Sequence, residues 1–318
     1  MGREIFLWGY WGGFNVGDEL ILRALLDIVG RDNAVVVARG DAKWISRFHN
    51  VESIPYHKAL PLVSSHRHII GGGGLFQDST SIHNILYYLY PIVFGRSSIL
   101  LGVGIGPLTH KLSQYIVSDI LRGVSFASVR DSLSYRFLRY TVGLEGVVML
   151  PDLVFTLSQL YPINSTNNSD DSFDLFIPGP AVGRKWYSIK DKLRETTIVV
   201  EFLPHRDKIF RDLYPSSWRV INGIDALVSG ELWDILKEAN RWVSGRLHGV
   251  VLACLMGRRF YSVVYDPKMI MLMRDYCQGA DLYGGYVNID ITEIHRLRKR
   301  ARVGYKSIVK KFVEEGWA

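Results

Sequence analysis

Short apolar runs alternate along this chain with longer segments in which apolar residues recur every three or four positions. The first pattern belongs to strands buried on both faces and the second to amphipathic helices. Their alternation predicts parallel sheets built from βα units. In the first half, Ile5–Gly9, Ala34–Ala38, His68–Ile70, Ile99–Ile105, Ser125–Val129 and Val147–Met149 read as strands, and Asp18–Val29 and Ser132–Tyr140 as helices. Residues 161–172 (YPINSTNNSDDS) are polar and aperiodic, which marks a linker. A second series of strands follows at Asp174–Ile177, Thr197–Phe202, Arg219–Ile221, Trp242–Val243 and Phe260–Val264. Helices at Ser188–Glu195, Gly230–Asn240, Leu247–Met256 and Pro267–Tyr276 lie between and after them. The expectation is an α/β chain of two Rossmann-like, doubly wound domains, residues 1–160 and 173–290, facing a cleft.

Residues 291–318 stand apart. Ile294, Leu297, Ala301, Tyr305, Ile308 and Phe312 fall at helical spacing, and Arg and Lys cover most of the remaining positions. This is a basic amphipathic helix, with Gly304 as a candidate break. A single apolar stripe favours packing on one of the domains; the basic face leaves peripheral contact with an anionic membrane open.

Composition narrows the class. A chain of 318 residues with 48% hydrophobic and 22% charged residues is globular rather than disordered. Its net charge of +7 suits an acidic substrate or an anionic surface. No nucleic-acid-binding motif is present, so that partner is not expected. Cys254 and Cys277 form no CxxC and are too few for a disulfide framework, which fits a reducing, cytoplasmic setting. No signal-peptide pattern is visible, and the most apolar run, Ile85–Leu101, is broken by Pro91 and Arg96. The expected place is the cytoplasm, at the inner face of the membrane if the terminal helix docks there.

Candidate chemistry concentrates in turns that follow strands. Arg246 and His248 sit where the strand Arg241–Val243 turns into the helix after it. There the first helical N–H groups lack partners and the helix dipole is positive, so an anion is the natural occupant. Arg246 can grip that anion and His248 can move a proton beside it. Tyr265-Asp266-Pro267-Lys268 opens a further helix, with Asp266 as cap and Pro267 in first position. Lys268 opposes the dipole there unless an anion is near. Arg130 ends another buried strand; the functional reading gives it to a substrate anion, the structural one to an ion pair with Asp131 or Asp152, of which Asp131 is disfavoured because adjacent residues in extended chain point apart.

Glycine marks two more loops. Gly9–Glu19 lacks the GxGxxG spacing of a dinucleotide site, and Asp18 and Glu19 at the helix start would repel a phosphate. It reads as a wall for a neutral, hydroxyl-rich ligand, with Asn15 and Asp18 as hydrogen-bonders; the plainer alternative is a turn with an acidic cap. Gly71–Gly74 follows a strand at its carboxyl end, where ligands bind in open α/β sheets, and Gly72, Gly73 and Gly74 are expected to let a ligand approach. In Gly102–Pro107 the glycines need only let a helix pack closely. His66, His68 and the other histidines form no metal-ligand constellation, and neither a metal nor a resident cofactor is expected.

Taken in order, GYWGGFNVGDELIL, GGGGLFQDS, GVGIGPL, SVRDSLS, SGRLHGVVLACLMG and YDPK resemble the polysaccharide pyruvyl transferases, over Gly9 to Lys268. The likeness is greatest to the branch that pyruvylates cell-wall polymers. Membership would imply a GT-B-like fold and transfer of a carboxyethylidene group from phosphoenolpyruvate onto two hydroxyls of a sugar, as a ketal. The resemblance implies a phosphoenolpyruvate-holding role for Arg246, Leu247 and His248, and it matches Arg130 to the Arg of the family's RDxxS motif. Where the family often has Asp-Pro, this chain has Asp152-Leu153. The expected assignment puts phosphate on Arg246 and Lys268 and carboxylate on Arg130, or the reverse, with the general acid at His248 and a hydroxyl base at Asp18 or Asp78. The acceptor is a sugar, free or lipid-linked. A nucleotide-sugar glycosyltransferase or a non-catalytic glycan-binding protein on the same scaffold are the alternatives.

Overall fold

The computed structural model describes residues 5–78, 82–160, 173–264, 267–277, 286–287 and 289–314. The expected linker, 161–172, and the proposed cap Asp266 lie outside them. The chain divides into two compact units. The first comprises Met1–Gly13, Asp18–Leu157 and Arg298–Ala318, and the second Phe14–Gly17 and Ser158–Leu297.

The first unit contains β1 (Ile5–Trp8), β2 (Ala34–Ala38), β3 (Glu52–Pro55), β4 (Arg67–Gly71), β5 (Gly74–Phe76), β6 (Ser97–Ile105), β7 (Phe126–Val129) and β8 (Val147–Met149). They pair in parallel in the order β3-β2-β1-β4-β6-β7-β8, with β5 paired to β6. All nine residues of β6 are buried, as expected of an apolar strand covered on both faces. The helices Val16–Val29, Ile82–Phe94 and Lys111–Leu121 accompany this sheet. Two of them fall in regions that the sequence pattern left unassigned. Ile82–Phe94 carries Pro91 inside it, and the carbonyl of Pro91 is taken by the Ser98 hydroxyl at 2.7 Å. Buried His68 is a satisfied core residue: Trp8 Nε1 donates to its Nδ1 at 3.0 Å and its Nε2 bonds the Val63 carbonyl at 2.8 Å. Burial pushes its pKa down to about 4, so the ring is neutral.

The second unit's sheet holds β9 (Asp174–Ile177), β10 (Thr197–Glu201), β11 (Arg219–Asn222), β12 (Arg241–Ser244) and β13 (Arg259–Ser262). It is all parallel, in the order β11-β10-β9-β12-β13. Its first helix is Val182–Lys190 rather than Ser188–Glu195, because Val182 and Ile189 supply the buried face. Helix Leu247–Met256 is buried on every side from His248 onward. Cys254 in that helix and Cys277 are buried thiols with sulfurs 3.6 Å apart.

The last helix, Ile291–Glu314, is continuous through Gly304. That glycine is a close-packing site, since a Cβ there would lie 2.7 Å from the Leu150 side chain. Its apolar stripe is consumed by the fold: Ile294, Leu297, Ala301, Tyr305 and Phe312 are all buried. Within the first unit, Tyr305 Oη donates to the Pro151 carbonyl at 2.8 Å and Arg298 to that of Leu157 at 2.8 Å. Among the described residues no helix is long and apolar enough to cross a membrane.

Candidate functional site

Each sheet has one place where the chain turns back and builds in the other direction. In the second unit the chain adds β10 and β11 on one side of β9, then β12 and β13 on the other. The crevice at the carboxyl ends of β9 and β12 is the topological switch point, where open α/β sheets take ligands. The loops leaving those strands touch there. Gly245 N–H donates to the Ile177 carbonyl at 2.8 Å, and a Cβ at Gly179 would sit 1.8 Å from the Gly245 oxygen.

Arg246 stands in this crevice as the extended N-cap residue of Leu247–Met256, and it supplies no side-chain acceptor to the first turn. The Ser244 hydroxyl holds the turn, accepting from the Arg246 N–H at 3.1 Å and donating to the Arg246 carbonyl at 2.9 Å. The guanidinium is aimed by two partners: Nε donates to the Pro178 carbonyl at 3.1 Å, and Nη2 pairs with the Asp207 carboxylate. Asp207 is fully buried, and its other oxygen accepts the Leu203 N–H at 2.9 Å. Burial raises its pKa, with the Arg246 charge opposing.

His248, two residues on, is also buried. Its ring lies over Gly17, where a Cβ would be 2.1 Å from Nδ1. The segment Phe14–Gly17 groups with this unit because Val16 N–H donates to the Phe202 carbonyl at 3.0 Å and Val16 packs against Gly223. Asn15 caps the helix that follows, its Oδ1 accepting the Gly17 N–H at 3.1 Å. Lys268 is buried in second position of the helix Pro267–Tyr276, which follows β13, the neighbour of β12.

The first unit's switch point lies between β1 and β4, since β2 and β3 build one way and β4 to β8 the other. The loops there are the two glycine loops. Gly72 and Gly73 have φ of 62° and 73°, the left-handed region that glycine tolerates without strain. A Cβ at Gly72 would lie 2.0 Å from Ile21 Cγ2, and one at Gly73 would lie 3.1 Å from Asp18 Oδ1. The glycines therefore let the loop lie against the first turn of Val16–Val29, beside Asp18. Gly74 opens β5. Glu19, fully buried behind this loop, accepts the Gly12 N–H at 2.8 Å and faces His49 Nε2 at 3.0 Å.

Two of the expected residues have other employment. Asp78 accepts from Thr109 N–H, Thr109 Oγ1 and His110 N–H at 2.8–3.0 Å, which anchors the chain entering Lys111–Leu121. Burial alone would raise its pKa, but these donors outweigh that and hold it below the usual value, so it makes a poor base. Arg130 is 2% exposed and paired with Asp152 at 2.8 Å. A Cβ at Gly104 would meet its guanidinium at 3.1 Å. The rest of the RDxxS motif is local architecture, with Asp131 capping Ser134 N–H at 2.8 Å and the Ser134 hydroxyl accepting the Ile105 N–H at 2.8 Å. The alternative partner weighed from sequence, Asp152, is the one that the fold selects.

Asp207 escaped the sequence reading. Its signal was an acid just past Pro204 in the loop after a buried strand, with no partner that local spacing identifies.

Solved structures share this fold at low sequence identity. UDP-GlcNAc 2-epimerase from Neisseria meningitidis, bound to UDP-GlcNAc, superimposes with a TM-score of 0.60 at 11% identity, over 98% of this chain and 100% of that one. HepE from Anabaena, in complex with UDP-glucose, gives 0.58 at 10% identity, over 98% of each chain. An uncharacterized protein from Klebsiella pneumoniae gives 0.51 at 15% identity, over 87% of this chain and 90% of the other. These likenesses show the fold, two Rossmann-like units of GT-B-like type. No curated protein matches the chain. The model of the polysaccharide pyruvyl transferase family matches residues 15–267, from the cap of the first helix, through the RDxxS motif and the Arg246–His248 turn, to Pro267. By that span, which takes in both switch points, the chain belongs to the polysaccharide pyruvyl transferase family.

Proposed function

We propose that this enzyme takes its pyruvyl group from phosphoenolpyruvate and sets it as a ketal on two hydroxyls of a sugar. The observation that carries the reading is the Arg246–His248 turn: an arginine at the helix N-cap, its guanidinium held by Asp207 and Pro178, with a histidine two residues further on. Arg246 and the first helical N–H groups would hold the phosphate, and Lys268, on the neighbouring strand's helix, would add a second cation.

Protonation of the methylene carbon makes it a methyl group and leaves an oxygen-stabilised cation at C2. His248 is the proposed acid. One sugar hydroxyl then attacks C2, the C2–O bond to phosphate breaks, and a second hydroxyl closes the ketal. Of the two hydroxyl protons, one replaces that spent on the methyl group and the other leaves with phosphate. Asp18, beside the Gly73 loop, is the proposed base for a hydroxyl. Arg130 is left out of substrate binding here; its pairing with Asp152 makes it a positioning residue for the first unit's sheet edge.

Calorimetric titration with phosphoenolpyruvate, UDP and GDP, on the wild type and Arg246→Ala, tests this. Phosphoenolpyruvate is expected to bind and to lose at least about tenfold in affinity in the variant. Binding of a nucleotide with no binding of phosphoenolpyruvate would make a nucleotide sugar the donor instead.

A further inference from the structure

One face of the first unit's sheet is covered by a layer whose outer side is both apolar and basic. The segments Leu60–Ser65, Ile82–Phe94, Lys111–Leu121 and Phe137–Val142 pack against one another in it. Their inner residues, among them Val63, Ile92, Val117 and Leu138, join one core with Phe6, Trp8 and Val37 of the sheet. A helix that faces water on its other side is normally polar there. These are not. Leu86, Val93 and Phe94 share one side of Ile82–Phe94 and are 48–56% exposed, with half-buried Tyr90 between them. On the neighbouring helix Leu112 and Tyr115 are 63% and 70% exposed, and Tyr140 beyond it is 77% exposed.

The charge on this layer has one sign. From residue 79 to residue 118 the sequence contains no Asp or Glu, and none occurs at 56–65 or 132–142. Asp119 is the one acid of these segments, and Arg122 pairs with it at 3.0 Å. Lys58, Arg96, Lys111, Arg136 and Arg139 are exposed on or next to them. The terminal helix Ile291–Glu314 differs in the point that matters: it too is basic outside, but its apolar stripe is buried in the fold.

An apolar face of this extent marks a contact surface. A second copy of the chain laid on it would set cations against cations, so the charge favours an anionic partner. Apolar tips with phenols and flexible cations around them need no shaped counterpart. They can enter the acyl boundary of a bilayer while Lys and Arg stay with the headgroups. We infer that the face formed by Ile82–Phe94 and Lys111–Leu121 docks this protein on an anionic membrane surface. The inference does not depend on the identity of the pyruvyl donor. It assigns membrane contact to a surface other than the terminal helix, whose basic sequence first suggested it.

The test is co-sedimentation of the full chain with phosphatidylcholine vesicles, with and without phosphatidylglycerol, at low and high salt. Binding is expected on the anionic vesicles, weakened by salt, and at least about tenfold weaker in Val93→Ser/Phe94→Ser and in Leu112→Ser/Tyr115→Ser. Tyr187→Ser/Ile209→Ser in the second unit and Lys306→Gln/Lys311→Gln on the terminal helix are expected to stay within about threefold of wild type. All of these side chains are exposed, so thermal midpoints should remain near wild type. Absence of binding, equal binding to both vesicle types, loss confined to the terminal-helix variant, or loss shared by Tyr187→Ser/Ile209→Ser would each overturn the assignment. So would a dimer, seen by light scattering, that Val93→Ser/Phe94→Ser splits, because the face would then belong to a second copy.

Discussion

The two switch points obey one topological rule and are furnished differently. Between β9 and β12 the crevice presents ionic side chains on a rigid turn: Arg246 aimed by Asp207, and His248 pressed on Gly17. Between β1 and β4 it presents glycine backbone, with Asp18 against Gly73 and Arg39 near the rings of Tyr10, Tyr87 and Tyr88 to one side. The first arrangement suits a small, highly charged molecule. A parallel sheet thus determines where a ligand goes, while the loops leaving the two middle strands determine what it is.

The comparison breaks most sharply at His248. His248→Ala is expected to lower turnover by about 10²–10⁴-fold while phosphoenolpyruvate affinity stays within a few-fold. Single-turnover kinetics beside calorimetry would show it, and parallel loss of both would remove His248 from the role of acid. At the other unit, Asp152→Ala removes the carboxylate paired with buried Arg130 and should cost about 3–5 kcal/mol of stability. Denaturant unfolding reads that cost, and a stability near wild type would show that the pair does not hold the sheet. Gly17→Ala is expected to cost turnover about 10²-fold, since the new methyl displaces the His248 ring. Rescue of that variant by a small residue at position 248 would be inconsistent with an active imidazole.

The glycine loop should have its own pH dependence. Burial pushes Glu19 up to about 8, with the Gly12 N–H opposing, and pushes His49 down to about 3. Glu19 binds its proton more tightly folded than unfolded, so its contribution is full below the ordinary carboxylate range and is lost as pH rises through about 8. His49 is the reverse: its neutral form is favoured by folding, so stability is present above the ordinary histidine range and lost as pH falls toward about 3. The two slopes oppose each other in mildly acidic solution and leave a decline on the alkaline side. A thermal midpoint that falls between neutral pH and pH of about 9, and no longer does so in Glu19→Gln, is the expected result. The smallest effect belongs to Asp78→Ala, which removes an anchor worth about 0.5–2 kcal/mol and should leave turnover near wild type. A large loss of turnover without loss of stability would return Asp78 to the candidate bases.

Much of this was legible in the chain. Strand runs such as Ile99–Ile105 and the helix Leu247–Met256 were readable because burial on both faces demands unbroken apolar sequence. Helices such as Lys111–Leu121 were not, because their mixed faces give a weak period. The Arg246–His248 turn stood out because a strand-to-helix junction with these residues has a chemistry of its own.

Pair identity was the part that local spacing could not supply. Arg130 lies 22 positions from Asp152 and Arg246 lies 39 from Asp207, and which acid meets which arginine depends on strand order. The same holds for the basic C-terminal helix, whose apolar stripe was visible in sequence while the surface that covers it was not. Local sequence thus determined the elements, the strand-end turns and the kind of chemistry they carry, since those follow from periodicity and helix-end electrostatics. Tertiary structure decided which charges remain at the sheet edges and which are neutralised inside. A buried charge needs a partner, and only the assembled sheet brings the partner within reach.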